Sequence, residues 1–246
     1  TRANLDAIAA LLKESGAAVV ALQEADAPSF WSGNFNHIDY VAGNGDFSQS
    51  VHGAHVDGLG LSYGTALIAS VELGNPQAIT FDPALSPVPK GFVVSTISWP
   101  GNSDLAIDVV SVHLDFASES TRKRQARELI ETLRDRNRPV IIMGDFNAGW
   151  EVDSTVQHIS RELVLTAYSP DGEGLETFPA FGERLDWILV SQGISFHSYR
   201  VVPNTVSDHR GVIAELVLDR KSCAMVALNQ RVRHPLQGHE SVCQGS

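Results

Sequence analysis

Cysteine is scarce in this chain: Cys223 and Cys243 both fall in the final stretch, so no disulfide framework holds the main body together. Long apolar runs are missing too, and nothing approaches the roughly 20 residues that a membrane-spanning helix requires. No internal repeat or low-complexity linker divides the 246 residues, a length that large α/β or all-β folds often occupy as one unit. Basic charge is the minority sign. Eighteen Lys and Arg against 29 Asp and Glu leave a formal charge of −11, which disfavours tight nonspecific contact with a polyanion unless the cations gather on one face. No secretory signal or targeting motif is visible and residue 1 is Thr. The expectation is a soluble, monomeric protein, cytoplasmic by default, with secretion as the alternative because the N-terminus reads as incomplete. A hydrophobic content of 43% is ample for a core.

The spacing of Leu5, Ile8 and Leu12 in "ANLDAIAALLK" predicts a helix stopping at Gly16, followed by the apolar strand "AAVVALQE" ending on Glu24. Residues 31–62, rich in Gly, Asn, Ser and His, show no sustained period and read as a long surface loop. His52, His55 and Asp57 in that stretch match no standard zinc spacing. "YGTALIAS" and "GFVVSTISW" are predicted strands on either side of the Pro-rich "DPALSPVPK". "LAIDVVSVHLDF" is apolar at both parities, which predicts a central strand. Residues 119–136 put Ala126, Leu129, Ile130 and Leu133 on one helical stripe, with Arg122, Lys123, Arg124 and Arg127 assigned to a solvated outer face. "PVIIMGDFN", a helix within 153–164, "RLDWILVS" and "HRGVIAELVL" complete a domain over 1–219, and 220–246 reads as an appended tail.

Polar residues gather at predicted strand ends: Glu24, His113, Asp145 with Asn147, Asp186, and Asp208 with His209. Singly, each has a plain reading. Glu24 suits a solvated strand end, His113 a satisfied core histidine, and Asp145 with Asn147 an Asx turn; Asp186 could pair with Arg184, and Asp208 could cap a turn. Together they suggest one shared site, because ligands in layered α/β sheets collect where strand ends meet their loops.

The ordered set "LQE", "YGTALIAS", "VHLD", an Arg-rich helix, "GDFNA", "RLDWILV" and "SDHRGVIAEL" resembles the endonuclease/exonuclease/phosphatase superfamily, of which deoxyribonuclease I is a familiar member. The resemblance implies an α/β four-layer sandwich, two mixed β-sheets packed face to face with helices on the outer faces. It implies hydrolysis of phosphate esters with Mg²⁺, for which Mn²⁺ can substitute. By matching positions, Glu24 and Asp208 are implied metal-region carboxylates, and Asp145 the acid that orients or deprotonates water. Asn147 is the implied phosphate-contacting amide, His113 lies near phosphate and leaving group, and His209 is paired with Asp186. The chemistry agrees: Mg²⁺ needs only one or two protein carboxylates plus substrate phosphate, and Asp186 would fix the tautomer of His209 and raise its pKa. Expected substrates are small phosphate esters or phospholipid headgroups. A nuclease of the same fold and a noncatalytic binding remnant are the alternatives. The resemblance also implies a strand carrying an Asn before the first helix, and this sequence opens at the helix.

Overall fold

Among the described residues, four α-helices and eleven strands are laid down in an order that explains the layers. In chain order these are α1 (Arg2–Ser15), β1 (Val19–Asp26), α2 (His37–Asn44), β2 (Gln49–Gly58), β3 (Leu61–Ala69), β4 (Gly74–Thr80), β5 (Gly91–Trp99) and β6 (Asn102–His113). There follow α3 (Glu119–Arg136), β7 (Val140–Asp145), α4 (Thr155–Leu163), β8 (Leu165–Ala167), β9 (Asp186–Ser191), β10 (Ile194–Val201) and β11 (Val212–Leu218). The structure, a computed structural model, describes residues 2–82, 88–203 and 206–219, so the tail from 220 onward lies outside the described residues.

The largest sheet has six strands in the order β4-β5-β6-β7-β9-β8. Its neighbours are antiparallel except for β6 and β7, which run parallel because α3 crosses over between them. Strand β6 is apolar on both faces because both are covered. Val110 and Val112 pack towards α3 and α4, with Leu129, Leu133, Val156 and Ile159, while Ile107 and Val109 face the opposing strands. Those opposing strands form a three-stranded β1-β3-β2 sheet and a β10-β11 pair. On their outer side Ile38, Val41 and Ala42 of α2 and Leu5, Ile8 and Leu12 of α1 cover Ala66 and Ile68. Helices, sheet, sheet and helices therefore make the four layers anticipated from the sequence. No helix among the described residues is long and apolar enough to cross a membrane.

Local signals account for the helix ends. Ser118 caps α3 by accepting from the Thr121 amide, and Asn137 closes it in the left-handed conformation. Asn36 accepts from the Asp39 amide at the start of α2.

Residues 31–62 are not the surface loop expected from their composition, since they contain α2, β2 and the start of β3. The pattern was hidden because β2 is built from small residues where two sheets approach closely. A Cβ on Gly53 would lie 2.4 Å from a Val93 methyl. His55 is buried there, between the hydroxyls of Thr80 (3.1 Å) and Thr65 (2.9 Å), and burial lowers its pKa to about 4. It is a satisfied core histidine rather than part of a metal site. Strands β4, β8 and β10 also went unforeseen: β4 is an exposed edge that tolerates Pro76, β8 spans only Leu165–Ala167, and β10 carries Ser, His and Arg on a half-exposed hairpin. Arg122 corrects the solvated-face assignment. Only 11% of its side chain is exposed, and it binds Asp153 at 2.7 and 2.8 Å and the carbonyls of Asp115 and Phe116, pinning the loop after β6 to α3.

Candidate active site

Three neighbouring strands deliver three of the anticipated side chains in a single row. His113 ends β6 opposite Asp145 at the end of β7, and Asp145 stands opposite Asp186 at the start of β9. Strands pair about 4.8 Å apart and opposed residues share a face, so register alone brings these groups together. The glycine before Asp145 is required by the same closeness: Gly144 has φ +148°, and a Cβ there would sit 2.0 Å from the Val112 carbonyl oxygen.

Asp145 is 7% exposed and well satisfied. Its Oδ1 accepts from the Asn147 amide at 2.8 Å, and its Oδ2 accepts from the Asn147 side chain at 3.1 Å and lies 3.3 Å from His113 Nε2. Burial pushes its carboxyl up, but the hydrogen bond and charge of His113 and the Asn147 amide outweigh burial and hold it below the usual range. Asn147, at φ +48°, also donates to the Leu114 carbonyl at 3.0 Å, so in this arrangement its carboxamide braces Asp145. The turn is anchored from beneath by Trp187, fully buried, whose indole donates to the Ala148 carbonyl at 2.9 Å.

His209 Nδ1 lies 2.8 Å from Asp186 Oδ2, and the His209 ring packs against Phe178 with centroids 4.8 Å apart. The bond to Asp186 is the main cause of a His209 pKa raised to about 9, with Asp145 and Asp208 adding to it, so the ring is a cation at neutral pH. Burial pushes the Asp186 carboxyl up against that bond. Arg184 does not pair with Asp186: it stacks on Trp187 at 3.9 Å and donates to Tyr168, Ser169 and Tyr199.

Glu24 and Asp208 stand at the rim. Glu24 occupies a bulge of β1 between Leu22 and Ala25 at φ +53°, which turns its 63% exposed carboxylate towards the same mouth. Asp208 is exposed and accepts from the Ser207 hydroxyl at 3.0 Å. Both border the cavity that also holds His113, Asp145, Asn147, Asp186 and His209. Among the described residues, the one tight group of potential metal ligands is Asp145, Asp186 and His209, whose ligand atoms lie within 4.8 Å of one another. Glu24 and Asp208 are outside it.

Lys90 was missed by the sequence reading. It is 7% exposed, with Nζ 3.5 Å from Glu24 Oε1 and 3.0 and 3.3 Å from the ring nitrogens of His113, and burial lowers its pKa. Nothing in "SPVPKGF" distinguishes it from a surface lysine ahead of a strand; only the β5–β6 register, with Gly91 opposite His113, carries it inward. Tyr63 likewise enters only through tertiary contact, by a hydrogen bond with Glu24 that, after burial, raises its pKa.

Sheets, helices and the acid–histidine row define an α/β sandwich of the deoxyribonuclease I-like class. The chain belongs to the Endonuclease/Exonuclease/phosphatase family, whose pattern matches residues 1–209. Solved structures share the fold at low identity. An endonuclease/exonuclease/phosphatase from Beutenbergia cavernae is 18% identical with a TM-score of 0.73, over 87% of this chain and 66% of that one. A mannosyl-6-phosphatase from Bacteroides thetaiotaomicron is 17% identical with a TM-score of 0.69, over 88% of this chain and 91% of that one. The human Nocturnin catalytic domain with bound sulfate is 16% identical, with a TM-score of 0.69 and coverage of 89% and 87%. No curated protein matches the chain by sequence.

Proposed function

We propose that this protein is a metal-dependent phosphoric ester hydrolase, acting as a phosphodiesterase or phosphatase by in-line attack of water. The observation that carries the reading is the row His113, Asp145 and Asp186 with His209 bonded to Asp186 at 2.8 Å. It pairs an ionised carboxylate with a cationic imidazole at one opening. Asp145, ionised and held by Asn147 and His113, orients a water and accepts its proton. His209, charged at neutral pH, donates a hydrogen bond to a phosphate oxygen and stabilises the charge that builds there. Asp186 holds the ring and its charge. The Lys90 ammonium, against the His113 ring, adds positive potential on the Glu24 side.

The donor set suits a hard cation. The mouth offers carboxylate oxygens, and in the tight cluster His209 Nδ1 and Asp186 Oδ2 are already engaged with each other. Glu24 and Asp208 would hold Mg²⁺, or Mn²⁺ in its place. When bound, the ion would neutralise phosphate charge. The acidic balance of the chain favours a small phosphate ester or a phospholipid headgroup over nucleic acid. The second reading, a nuclease of the same fold, predicts affinity that falls steeply with added salt, which a small substrate would not show.

The test is hydrolysis of a chromogenic phosphodiester and monoester by the full chain, with Mg²⁺ and with chelator, against His209→Ala. Turnover that needs the metal and falls on the order of 10²–10⁴-fold in the variant supports the reading. A folded chain inert towards every ester class with Mg²⁺ or Mn²⁺ present would leave the binding-remnant alternative.

A further inference from the structure

Lys90 carries a charge whose burial no structural role explains. The residue is 7% exposed, and among the described residues its Nζ reaches two neighbours, Glu24 Oε1 at 3.5 Å and the His113 ring nitrogens at 3.0 and 3.3 Å. Glu24 has no need of a buried partner, since 63% of its side chain is exposed to water. A contact of 3.5 Å to so exposed a carboxylate does not offset the desolvation of an ammonium. Three N–H donors meet two neighbouring residues, so one donor is left over, and Lys90 lines the cavity at the mouth together with Glu24, His113, Asp145 and Asn147. Burial lowers its pKa, while Glu24, Asp145 and Asp115 act against burial and favour the ammonium. The backbone there is held tightly. The Lys90 carbonyl accepts from the Phe81 amide at 3.0 Å, and a Cβ on Gly91 would lie 2.2 Å from the Ile79 carbonyl oxygen and 2.4 Å from the His55 ring. The start of β5 thus presents Lys90 to the mouth as a fixed donor.

We infer that Lys90 is a specificity-determining residue, whose ammonium binds a phosphate oxygen and makes the site selective for phosphomonoesters over phosphodiesters. The inference rests on the phosphoric ester hydrolase reading and narrows it. The row His113, Asp145 and Asp186 has a cation at each end, Lys90 against His113 and His209 against Asp186, so substrate charge is met from both sides. A monoester's second ionisation has a pKa of about 6, so at neutral pH it brings nearly two charges spread over three terminal oxygens. A diester brings one charge on two such oxygens, and its remaining oxygen is covered by a second organic group. Coulomb attraction grows with the product of the charges, so the same ammonium gains about twice as much from the dianion. Because Lys90 is buried, salt and water screen that difference less than they would at the surface. In the reaction so selected, water bonds to phosphorus and passes a proton to Asp145. The ester P–O bond breaks, and the alcohol leaves with a proton from solvent, beside inorganic phosphate.

The test compares para-nitrophenyl phosphate with bis(para-nitrophenyl) phosphate as substrates of the full chain with Mg²⁺, in the parent and in Lys90→Met, which keeps side-chain length and removes the charge. Lys90→Gln takes its place if the Met variant does not unfold cooperatively. The parent should favour the monoester in kcat/KM, and the variant should cut that preference at least about tenfold, the usual scale for losing a hydrogen bond to a charged group. A second readout needs no turnover. With chelator present, at about pH 8, calorimetry should show inorganic phosphate binding the parent at least about tenfold more tightly than dimethyl phosphate, and the variant should lose that margin. A parent that prefers the diester overturns the inference and leaves the hydrolase reading standing. So does a folded variant that lowers both esters alike, or a parent that binds the two anions equally. Absence of turnover alongside a Lys90-dependent phosphate margin removes the hydrolase reading alone and keeps Lys90 as the group that selects the dianion.

Discussion

The two sheets of this sandwich are built on different terms. In the six-stranded sheet Phe92, Val94, Val110, Val112, Ile142 and Leu189 are all fully buried, and each strand between β4 and β8 has two partners. Across from it, the layer is divided into β1-β3-β2 and β10-β11, and Val212, Ala214 and Leu216 of β11 are only partly buried. The closed sheet supplies the rigid platform of the site, since His113, Asp145 and Asp186 are neighbours in its ladder. The divided layer supplies the rim, with Glu24 from β1 and Asp208 and His209 from the approach to β11. On the proposed reading, Asp145 and its neighbours Asp186 and His113 stand on continuous ladder, which fixes their spacing, while Glu24, Asp208 and His209 come from β1 and from the segment before β11.

The largest effect expected from breaking this contrast is chemical. If the reading of the site holds, Asp145→Ala lowers turnover on the order of 10²–10⁴-fold, measured with Mg²⁺ on a chromogenic ester, while cooperative unfolding persists. An activity within about twofold of the parent would remove Asp145 from the mechanism. Next comes packing. Ile142→Ala in the closed sheet should cost about 2–5 kcal/mol in urea unfolding, whereas Leu216→Ala beside the cavity should cost clearly less. Equal costs would mean that Leu216 is covered in solution.

A smaller effect is the pH dependence of the His209–Asp186 pair. The folded His209 pKa of about 9 lies above its ordinary 6.5. Protonation therefore favours the folded state: the stabilisation is fully present below pH 6.5 and is lost as pH rises through about 9. For a half-buried ring this amounts to about 1–2 kcal/mol after solvent screening. Unfolding free energies at pH 6 and pH 9.5 should differ by that much more in the parent than in His209→Gln, and identical slopes would count against the pairing. The smallest effect is on the outer helical face, where Lys123→Ala removes the exposed pair with Glu119 and should cost about 0.3–0.5 kcal/mol. Arg122→Ala, one residue away but buried against Asp153, should cost several times that.

How much of this was legible beforehand follows from what a linear pattern can carry. Helix α3 was readable to its ends because its stripe and its Ser118 and Asn137 caps are local. Strands β6 and β7 were readable from apolar runs that stop on His113 and Asp145, and β9 from one that starts directly after Asp186. Strand β2 was not, because crowding against Val93 selects glycine where a strand pattern would show a branched residue. Lys90 and Tyr63 were not, because an isolated lysine or tyrosine carries no local sign of what will lie opposite it. Arg122 was misassigned for the same reason: a charge on a helix reads as solvated until its partner, Asp153, is known.

By itself the sequence determined the layered α/β class, the principal strands and seven of the polar residues that border the mouth, since periodicity and strand-end polarity are properties of short segments. Only the tertiary structure decided that Asn147 braces Asp145, that Lys90 joins Glu24 to His113, and that β1 and β11, each paired on one side among the described residues, border one apolar cavity. Those facts depend on register and burial between residues far apart in the chain, which no local pattern encodes.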